Sequence, residues 1–120
     1  MDKKLAGRFG EQTAAEYLKK KRYKIVGLNY SCRFGEIDII AQNKKYIVFA
    51  EVKLRRSDTF AEAREFVTQS KQEKIIKTAS LWLSQNETEL QPRFDVIEVY
   101  ATDGASSKAV RINHIENAFQ

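Results

Sequence analysis

Gly35-Glu36-Ile37-Asp38-Ile39-Ile40 and Val48-Phe49-Ala50-Glu51-Val52-Lys53 are the two stretches that carry the strongest structural signal in this 120-residue chain. Each has the apolar and β-branched composition of a β-strand, yet each carries acidic residues in its middle. An ionised group in a half-buried strand is unfavourable unless it is paired or binds a metal ion. The two stretches therefore predict strands that present a polar site.

The two stretches divide into polar and apolar sets, because side chains alternate between the faces of a strand. The polar sets contain Glu36 and Asp38 in the first strand and Glu51 and Lys53 in the second. The remaining sets are wholly apolar, and we expect them to lie together against the core helices. These sets are Ile37, Ile39 and Ala41 in the first strand and Val48, Ala50, Val52 and Leu54 in the second.

A tight turn at Asn43-Lys44-Lys45 is expected to join the two strands as a hairpin. A two-residue or four-residue loop there places Asp38 opposite Glu51, whereas a three-residue loop shifts the register by one residue. The same register places Glu36 opposite Lys53. Directly opposed Cβ atoms are about 5 Å apart, so two carboxylates in this position repel each other unless a cation offsets their charge.

A divalent cation is a suitable partner for this pair of acids, because hard cations prefer carboxylate oxygens and keep water ligands. An Asp, a Glu and a Lys around such an ion can cut a phosphodiester, with Lys53 orienting or deprotonating a water and stabilising developing charge. Glu11, near the apolar stripe of a predicted first helix, is a candidate for a further carboxylate. Gln69 and Lys71, at the start of a predicted second helix, are candidates for contacts with phosphate or the attacking water.

Hydrophobic periodicity predicts the other elements and gives the order α-β-β-β-α-β, a mixed α/β sandwich. Residues 57–68 are expected to form a loop with a short helical piece, and residues 102–109 an exposed loop. A short strand near residues 110–112 is expected before a terminal turn. The predicted helices are residues 6–22 and 69–86, and the predicted strands are residues 23–31, 34–42, 46–55 and 93–101.

Composition fits a single domain covering residues 1–120. No apolar run is long enough to cross a membrane, and the segment after Met1 lacks the apolar core of a secretory signal, so the expected location is cytoplasmic. A single cysteine, Cys32, excludes an internal disulfide and a cysteine-based zinc site. The net charge of +5 favours a polyanionic partner such as nucleic acid, although many soluble domains are mildly basic.

Asp38 followed by Glu51-Val52-Lys53 resembles the PD-(D/E)xK motif of the restriction-endonuclease-like nuclease superfamily, whose shared core has a similar element order. Ile37 stands where that motif has its proline. A wider set of segments resembles the bacterial YraN family, which is uncharacterised in function and has been likened to archaeal Holliday-junction resolvases. These segments are Gly10-Glu11, Gly35-Glu36-Ile37-Asp38, Phe49-Ala50-Glu51-Val52-Lys53, Lys71 and Arg93-Phe94-Asp95-Val96, and they extend over most of the chain.

This resemblance implies a restriction-endonuclease-like core with a mixed central sheet flanked by helices. It implies an endonuclease that uses Mg²⁺, or Mn²⁺ in its place, on structured or branched DNA, with DNA favoured over RNA. Asp38, Glu51 and Lys53 would be the metal and catalytic residues, and Glu11 matches a helix-one glutamate that assists in resolvases. A homodimer would suit such an enzyme because two strands must be cut, although nothing in the sequence marks a dimer face.

The basic residues expected to contact the nucleic-acid backbone lie at strand ends near the proposed metal. They set affinity without conferring sequence preference. They are Arg33, Arg55 and Arg56, and the resemblance adds Gln69 and Lys71 less specifically.

Other interpretations stay open at this point. Asp38 and Glu51 could belong to an edge hairpin with one solvated face, as antiparallel sheets often have. Glu11 could form a salt bridge, and Glu36 could pair with Lys53 in place of binding metal. His114 is taken as a surface residue. The chain could also be a non-catalytic nucleic-acid-binding module of the same fold or a protein-interaction domain, since fold alone does not establish activity.

Overall fold

The two acid-bearing stretches lie in neighbouring strands inside a five-stranded sheet. The computed structural model describes residues 3–56, 67–101 and 110–120; the loop expected at residues 102–109 lies outside them, as does the loop expected at residues 57–68 except for its last two residues. None of the helices in this described part is long and apolar enough to span a membrane. In chain order the elements are α1 Lys3–Lys20, β1 Lys24–Cys32, β2 Gly35–Gln42, β3 Tyr46–Arg56, α2 Gln69–Gln85, β4 Gln91–Ala101 and β5 Val110–Phe119.

The strands follow the order β1-β2-β3-β4-β5 across the sheet. β3 and β4 pair in parallel, and the other neighbouring pairs are antiparallel. A parallel pair needs a long crossover connection, and α2 provides it between β3 and β4. The fold is therefore the expected α/β core with a mixed sheet flanked by helices.

The C-terminal segment differs from its expectation. In place of a short strand followed by a turn, β5 runs from Val110 to Phe119 and pairs with β4 along most of its length. A register shift between Phe94 and Val96 interrupts this pairing. The extended pairing with β4 stabilises residues whose polar composition gives little strand signal in isolation.

The β2–β3 hairpin has the predicted register. Asn43 N–H donates to the Tyr46 carbonyl, so the loop between them has two residues. The Asn43 side-chain oxygen accepts from the N–H groups of Lys45 and Tyr46 at 2.9 and 2.7 Å, which closes the turn locally. The ladder runs from Gln42–Ile47 to Ile39–Ala50, and Asp38 and Glu51 are the residues that directly follow its last pair.

One face of the sheet packs against α1. Ala14, Ala15 and Leu18 of this helix are buried on it. The apolar sets of β2 and β3 contribute Ile39, Ala41, Val48 and Ala50 to this core as expected, but Ile37, expected in the same set, belongs to the core on the opposite face.

The opposite face is also covered, and here the expectation of a single helix-facing side was incomplete. Ile40, Ile47 and Phe49, which share the polar face of their strands, are buried beneath α2 together with Ile75 and Ala79. The alternative of an edge hairpin with one solvated face is wrong, because β2 and β3 are internal strands and both of their faces are covered. Asp38 and Glu51 of these strands lie near the first residues of α2.

Candidate functional site

Asp38 and Glu51 line the same pocket at the start of α2. The pocket has a volume of about 410 Å³ and opens to solvent. It combines acids from the sheet with hydroxyl and lysine side chains from the helix. Its lining residues are Gly35, Glu36, Asp38, Glu51, Thr68, Ser70, Lys71, Lys74 and Ile75.

Asp38 lies at the point where the β2–β3 ladder ends. Its Oδ2 accepts a hydrogen bond from the Val52 N–H at 2.8 Å, so the side chain takes the place of a backbone partner. Burial raises the pKa of Asp38 to about 7, and the negative charge of Glu51 acts in the same direction. The bond from Val52 opposes this rise without cancelling it.

Glu51 is 6% exposed and carries a close cation partner. The Lys71 Nζ lies 2.6 Å from the Glu51 Oε1, a distance typical of a charge-assisted hydrogen bond. Burial alone would lower the pKa of Lys71, but the hydrogen bond and charge of Glu51 together raise it. Lys71, expected to contact phosphate, therefore lies directly on the carboxylate that was expected to hold a metal.

Lys53 is half-buried beside this ion pair. Burial lowers its pKa, and the positive charge of Lys71 lowers it further. A lysine with a lowered pKa can give or take a proton near neutral pH more readily than an exposed lysine. The alternative pairing of Lys53 with Glu36 is not formed between these two described residues, and Glu36 accepts a hydrogen bond from Ser31 Oγ at 3.0 Å.

Glu11 lies in a neighbouring pocket between α1 and β1. Burial raises its pKa, while a hydrogen bond from Asn29 opposes the rise. The charges of Glu36 and Glu51 also raise it, so Glu11 is electrostatically coupled to the Asp38 site although it does not line the same cavity. Over the described residues, no three His, Cys, Asp or Glu side chains form a group that could hold a metal ion.

The expected nucleic-acid contacts are spread over different surroundings. Arg33 lies in the β1–β2 turn with its guanidinium 4.8 Å from the Phe34 ring centroid. The Arg55 Nε is 3.4 Å from the Glu98 Oε2, so this side chain has a carboxylate partner. Gln69 is exposed at the first position of α2. The side chain of Arg56, the last residue of β3, lies outside the described part.

Glu98 is a residue of the site region that sequence reasoning missed. It is 1% exposed, and it lies beside Lys53 in the parallel β3–β4 ladder. Asn113 Nδ2 and the Tyr100 hydroxyl donate to its Oε1 at 2.9 and 3.3 Å. The signal that identified Asp38, an acid within an apolar strand, also applies to this residue.

A second polar cluster lies on the α1 face, centred on the fully buried Asp95. Arg93 donates to both of its carboxylate oxygens at 2.8 and 2.9 Å, and the Asn117 N–H donates to Oδ1 at 3.0 Å. His114 Nε2 lies 2.6 Å from Oδ2, and His114 Nδ1 lies 3.0 Å from the Tyr17 hydroxyl. The expectation that His114 is a surface residue was wrong, because its side chain is 7% exposed and bridges α1 to β4.

Comparisons with known proteins give one consistent family. The family described as "Uncharacterised protein family UPF0102" matches residues 10–99. A UPF0102 protein of Caldanaerobacter subterraneus subsp. tengcongensis is 48% identical over 120 residues, which cover 99% of this chain and 98% of that protein. A UPF0102 protein of Clostridium acetobutylicum is 46% identical over 98% of this chain and 95% of its own length. One from Geobacter sulfurreducens is 42% identical over 98% and 90%.

The family match includes every residue that lines the Asp38 pocket, from Gly35 to Ile75. They agree with the likeness that the motifs around Glu11, Asp38 and Glu51 carry. The chain therefore belongs to the uncharacterised protein family UPF0102, the YraN family.

Proposed function

We propose that this protein is a Mg²⁺-dependent endonuclease that acts on structured or branched DNA. One observation carries the proposal: two carboxylates, Asp38 and Glu51, lie in one open pocket, where burial and the charge of Glu51 disfavour the charged form of Asp38. A structural role would favour a neutralised pair, whereas a pocket that binds a cation benefits from excess negative charge. A cytoplasmic location and action as a homodimer belong to the same proposal.

The donor set fits a hard divalent cation. Carboxylate oxygens are the ligands that Mg²⁺ prefers, and Mg²⁺ usually takes only one or two of them from a protein and completes its shell with water and phosphate. Asp38 and Glu51 would hold the ion, with Mn²⁺ as a substitute and Glu11 acting from the next pocket. The ion would supply charge stabilisation at a phosphodiester oxygen and an acidified water.

Lys53 would carry out the proton transfer in this reaction. Its lowered pKa suits a group that accepts a proton from the attacking water at Nζ or delivers one to the departing oxygen. Its charged form would also stabilise the negative charge that develops on the phosphoryl group. Asp38 and Glu51 cannot fill this role while they hold a cation, so the proton transfer would fall to Lys53.

Positive charge near the pocket supports binding of a nucleic-acid backbone. Lys71 and Lys74 line the pocket, and Arg33 lies in the β1–β2 turn beside Gly35, which also lines it. The start of α2, whose backbone N–H groups carry partial positive charge, lines the same pocket through Thr68, Ser70 and Lys71. These contacts would track phosphates without sequence preference, which suits a substrate recognised by its shape.

A second candidate function is a nucleic-acid-binding module without catalysis. The ion pair between Lys71 and Glu51 favours it, because this carboxylate already has a cation partner at 2.6 Å. Such a module would bind DNA with a steep salt dependence but would need no divalent cation.

Cleavage assays on branched, linear and single-stranded DNA with Mg²⁺ or Mn²⁺ separate the two candidates. We expect Asp38→Ala and Glu51→Ala to lower the cleavage rate by about a thousandfold or more while DNA binding survives. Glu36→Gln is a matched control, since Glu36 lines the same pocket but bonds Ser31. Wild-type protein that binds DNA and cuts no DNA or RNA substrate with either ion would reject the nuclease in favour of the binding module.

A further inference from the structure

We propose that Lys71 is an exchangeable partner of Glu51, holding this carboxylate until a divalent cation replaces it and then contacting a phosphate of the substrate. The proposal deepens the proposed function and rests on the cation site assigned there. It assigns Lys71 two alternating partners in place of a single role in substrate binding.

The Lys71 ammonium lies directly on a buried carboxylate. Its Nζ is 2.6 Å from the Glu51 Oε1, and the Glu51 side chain is only 7% exposed. A carboxylate this deeply buried needs a positive partner, because water cannot solvate it fully. Lys71 supplies that partner from α2, an element that the crossover brings over the ends of β2 and β3.

A divalent cation would compete with Lys71 for the Glu51 carboxylate. Asp38 commits Oδ2 to the Val52 N–H, so a cation shared by the two acids would draw on the other Asp38 oxygen, Oδ1, and on the oxygens of Glu51. An ammonium in hydrogen-bond contact with that carboxylate would lie within a few ångströms of the ion, where like charges repel strongly. The two cations therefore exclude each other from Glu51.

Lys71 can move away from Glu51 at little cost in free energy. Its side chain is 43% exposed, in contrast to its carboxylate partner. A lysine ammonium on its flexible four-carbon stem can rotate toward the opening of the pocket and be solvated there. A phosphate approaching the pocket would meet the released ammonium, so cation binding and phosphate binding should strengthen each other.

The competing explanation is a fixed ion pair that docks the start of α2 on the sheet. That role predicts that Lys71 stays on Glu51 whether or not a divalent cation is present, and that its removal lowers stability without changing cation affinity. The exchange predicts the opposite on both counts.

Calorimetric titration of Mn²⁺ into protein without DNA tests the exchange directly. We expect Lys71→Met to tighten Mn²⁺ binding about tenfold, because the competing ammonium is gone. Lys71→Arg should weaken it relative to wild type, since a guanidinium can hold a carboxylate through two parallel bonds. Lys74→Met is the matched control for loss of one positive charge at the same pocket, and it should change the affinity by less than about twofold.

A second measurement follows Lys71 itself. We expect amine-reactive labelling read by mass spectrometry to rise at Lys71 when Mn²⁺ is added, while labelling at Lys74 stays constant. Equal Mn²⁺ affinity in wild type, Lys71→Met and Lys74→Met, with unchanged labelling, would overturn the exchange and leave the nuclease proposal standing. Failure of both wild type and Lys71→Met to bind Mn²⁺ would overturn the cation site itself and this proposal with it.

Discussion

The two polar clusters of this protein are built from similar residues and behave in opposite ways. The cluster around Asp95 contains a fully buried carboxylate that accepts hydrogen bonds from Arg93 and the Asn117 N–H and contacts His114. The cluster around Asp38 contains two acids whose charges oppose each other in an open pocket of about 410 Å³. In the closed cluster the central carboxylate is neutralised, whereas in the open cluster Lys71 pairs with Glu51 and the pKa of Asp38 stays raised.

The pKa values of Asp95 and Asp38 are shifted in opposite directions. Burial alone would raise the pKa of Asp95, but its bonds to His114, Arg93 and the Asn117 N–H hold it below its usual range. Burial and the charge of Glu51 raise the pKa of Asp38 to about 7. A polar network whose partners offset the desolvation of its buried charges contributes to stability. A polar network whose partners do not offset that desolvation is a candidate for function.

Removing the centre of the closed cluster gives the largest expected effect on stability. Asp95→Ala leaves Arg93 and His114 buried without their shared carboxylate, so we expect the free energy of unfolding to fall by about 3–5 kcal/mol. Urea denaturation followed by circular dichroism measures this loss. Asp38→Asn is the control from the open cluster and should not destabilise the protein at pH 8. Equal losses in the two variants would remove the distinction between the clusters.

A divalent cation should stabilise the protein only through the open cluster. Mg²⁺ at about a hundred times its dissociation constant should add roughly 2.7 kcal/mol to the free energy of unfolding. We expect this gain, measured as a shift of the thermal midpoint, to disappear in Glu51→Gln. His114→Gln alters the closed cluster and should retain the gain, whereas its loss there would show that the clusters are coupled.

The pH dependence of stability should have opposite signs at the two clusters. The folded-state pKa of Asp38 is raised from 3.8 to about 7, so the folded state binds the extra proton between these values. Stability should therefore fall as pH rises through this window, by on the order of 2 kcal/mol. The pKa of Asp95 is lowered from 3.8, so its contribution is present above pH 3.8 and is lost as pH falls through the folded-state value.

Subtracting the urea-denaturation curves of Asp38→Asn from those of wild type, between pH 4 and pH 8, isolates the Asp38 contribution. We expect the wild type to lose stability relative to the variant as pH rises. A difference that is flat across this range would mean that Asp38 titrates normally and that the two acids do not oppose each other.

Glu11 should have the smallest effect, because it lines a neighbouring pocket and influences the site through charge alone. We expect Glu11→Gln to reduce the cleavage rate by less than about tenfold and to weaken Mn²⁺ binding slightly. Glu16→Gln, which lines the same neighbouring pocket, is the control. A loss as large as that of Asp38→Ala would place Glu11 within the metal site proper.

Much of the fold was predictable because its signals are local. Period-two alternation marked the strands that became β2 and β3, and the Asn43 turn set a register that the structure confirms. The second helix begins at Gln69 as expected, after the N-cap residue Thr68. Contacts between adjacent strands follow from loop length, so the approach of Asp38 to Glu51 could be inferred from the sequence.

The contacts that sequence reasoning missed join residues brought together by the parallel crossover or by the C-terminal strand. Lys71 was expected to face a phosphate, yet it lies on Glu51, because α2 packs over this face of β3. Glu98 carries the local signal of an acid within an apolar strand, but its partners and those of His114 follow from the parallel β3–β4 register and the length of β5, which have no short-range signal.

The amino-acid pattern alone determined the α/β class, the hairpin and its acidic pair, because alternation and turn chemistry act over a few residues. The tertiary structure decided which acids gain a partner that offsets their charge and which do not. That outcome depends on burial and on partners distant in sequence, such as Lys71 for Glu51 and His114 for Asp95. Electrostatic environment is a property of packing, so charges of the same kind became a structural centre in one place and a candidate active site in the other.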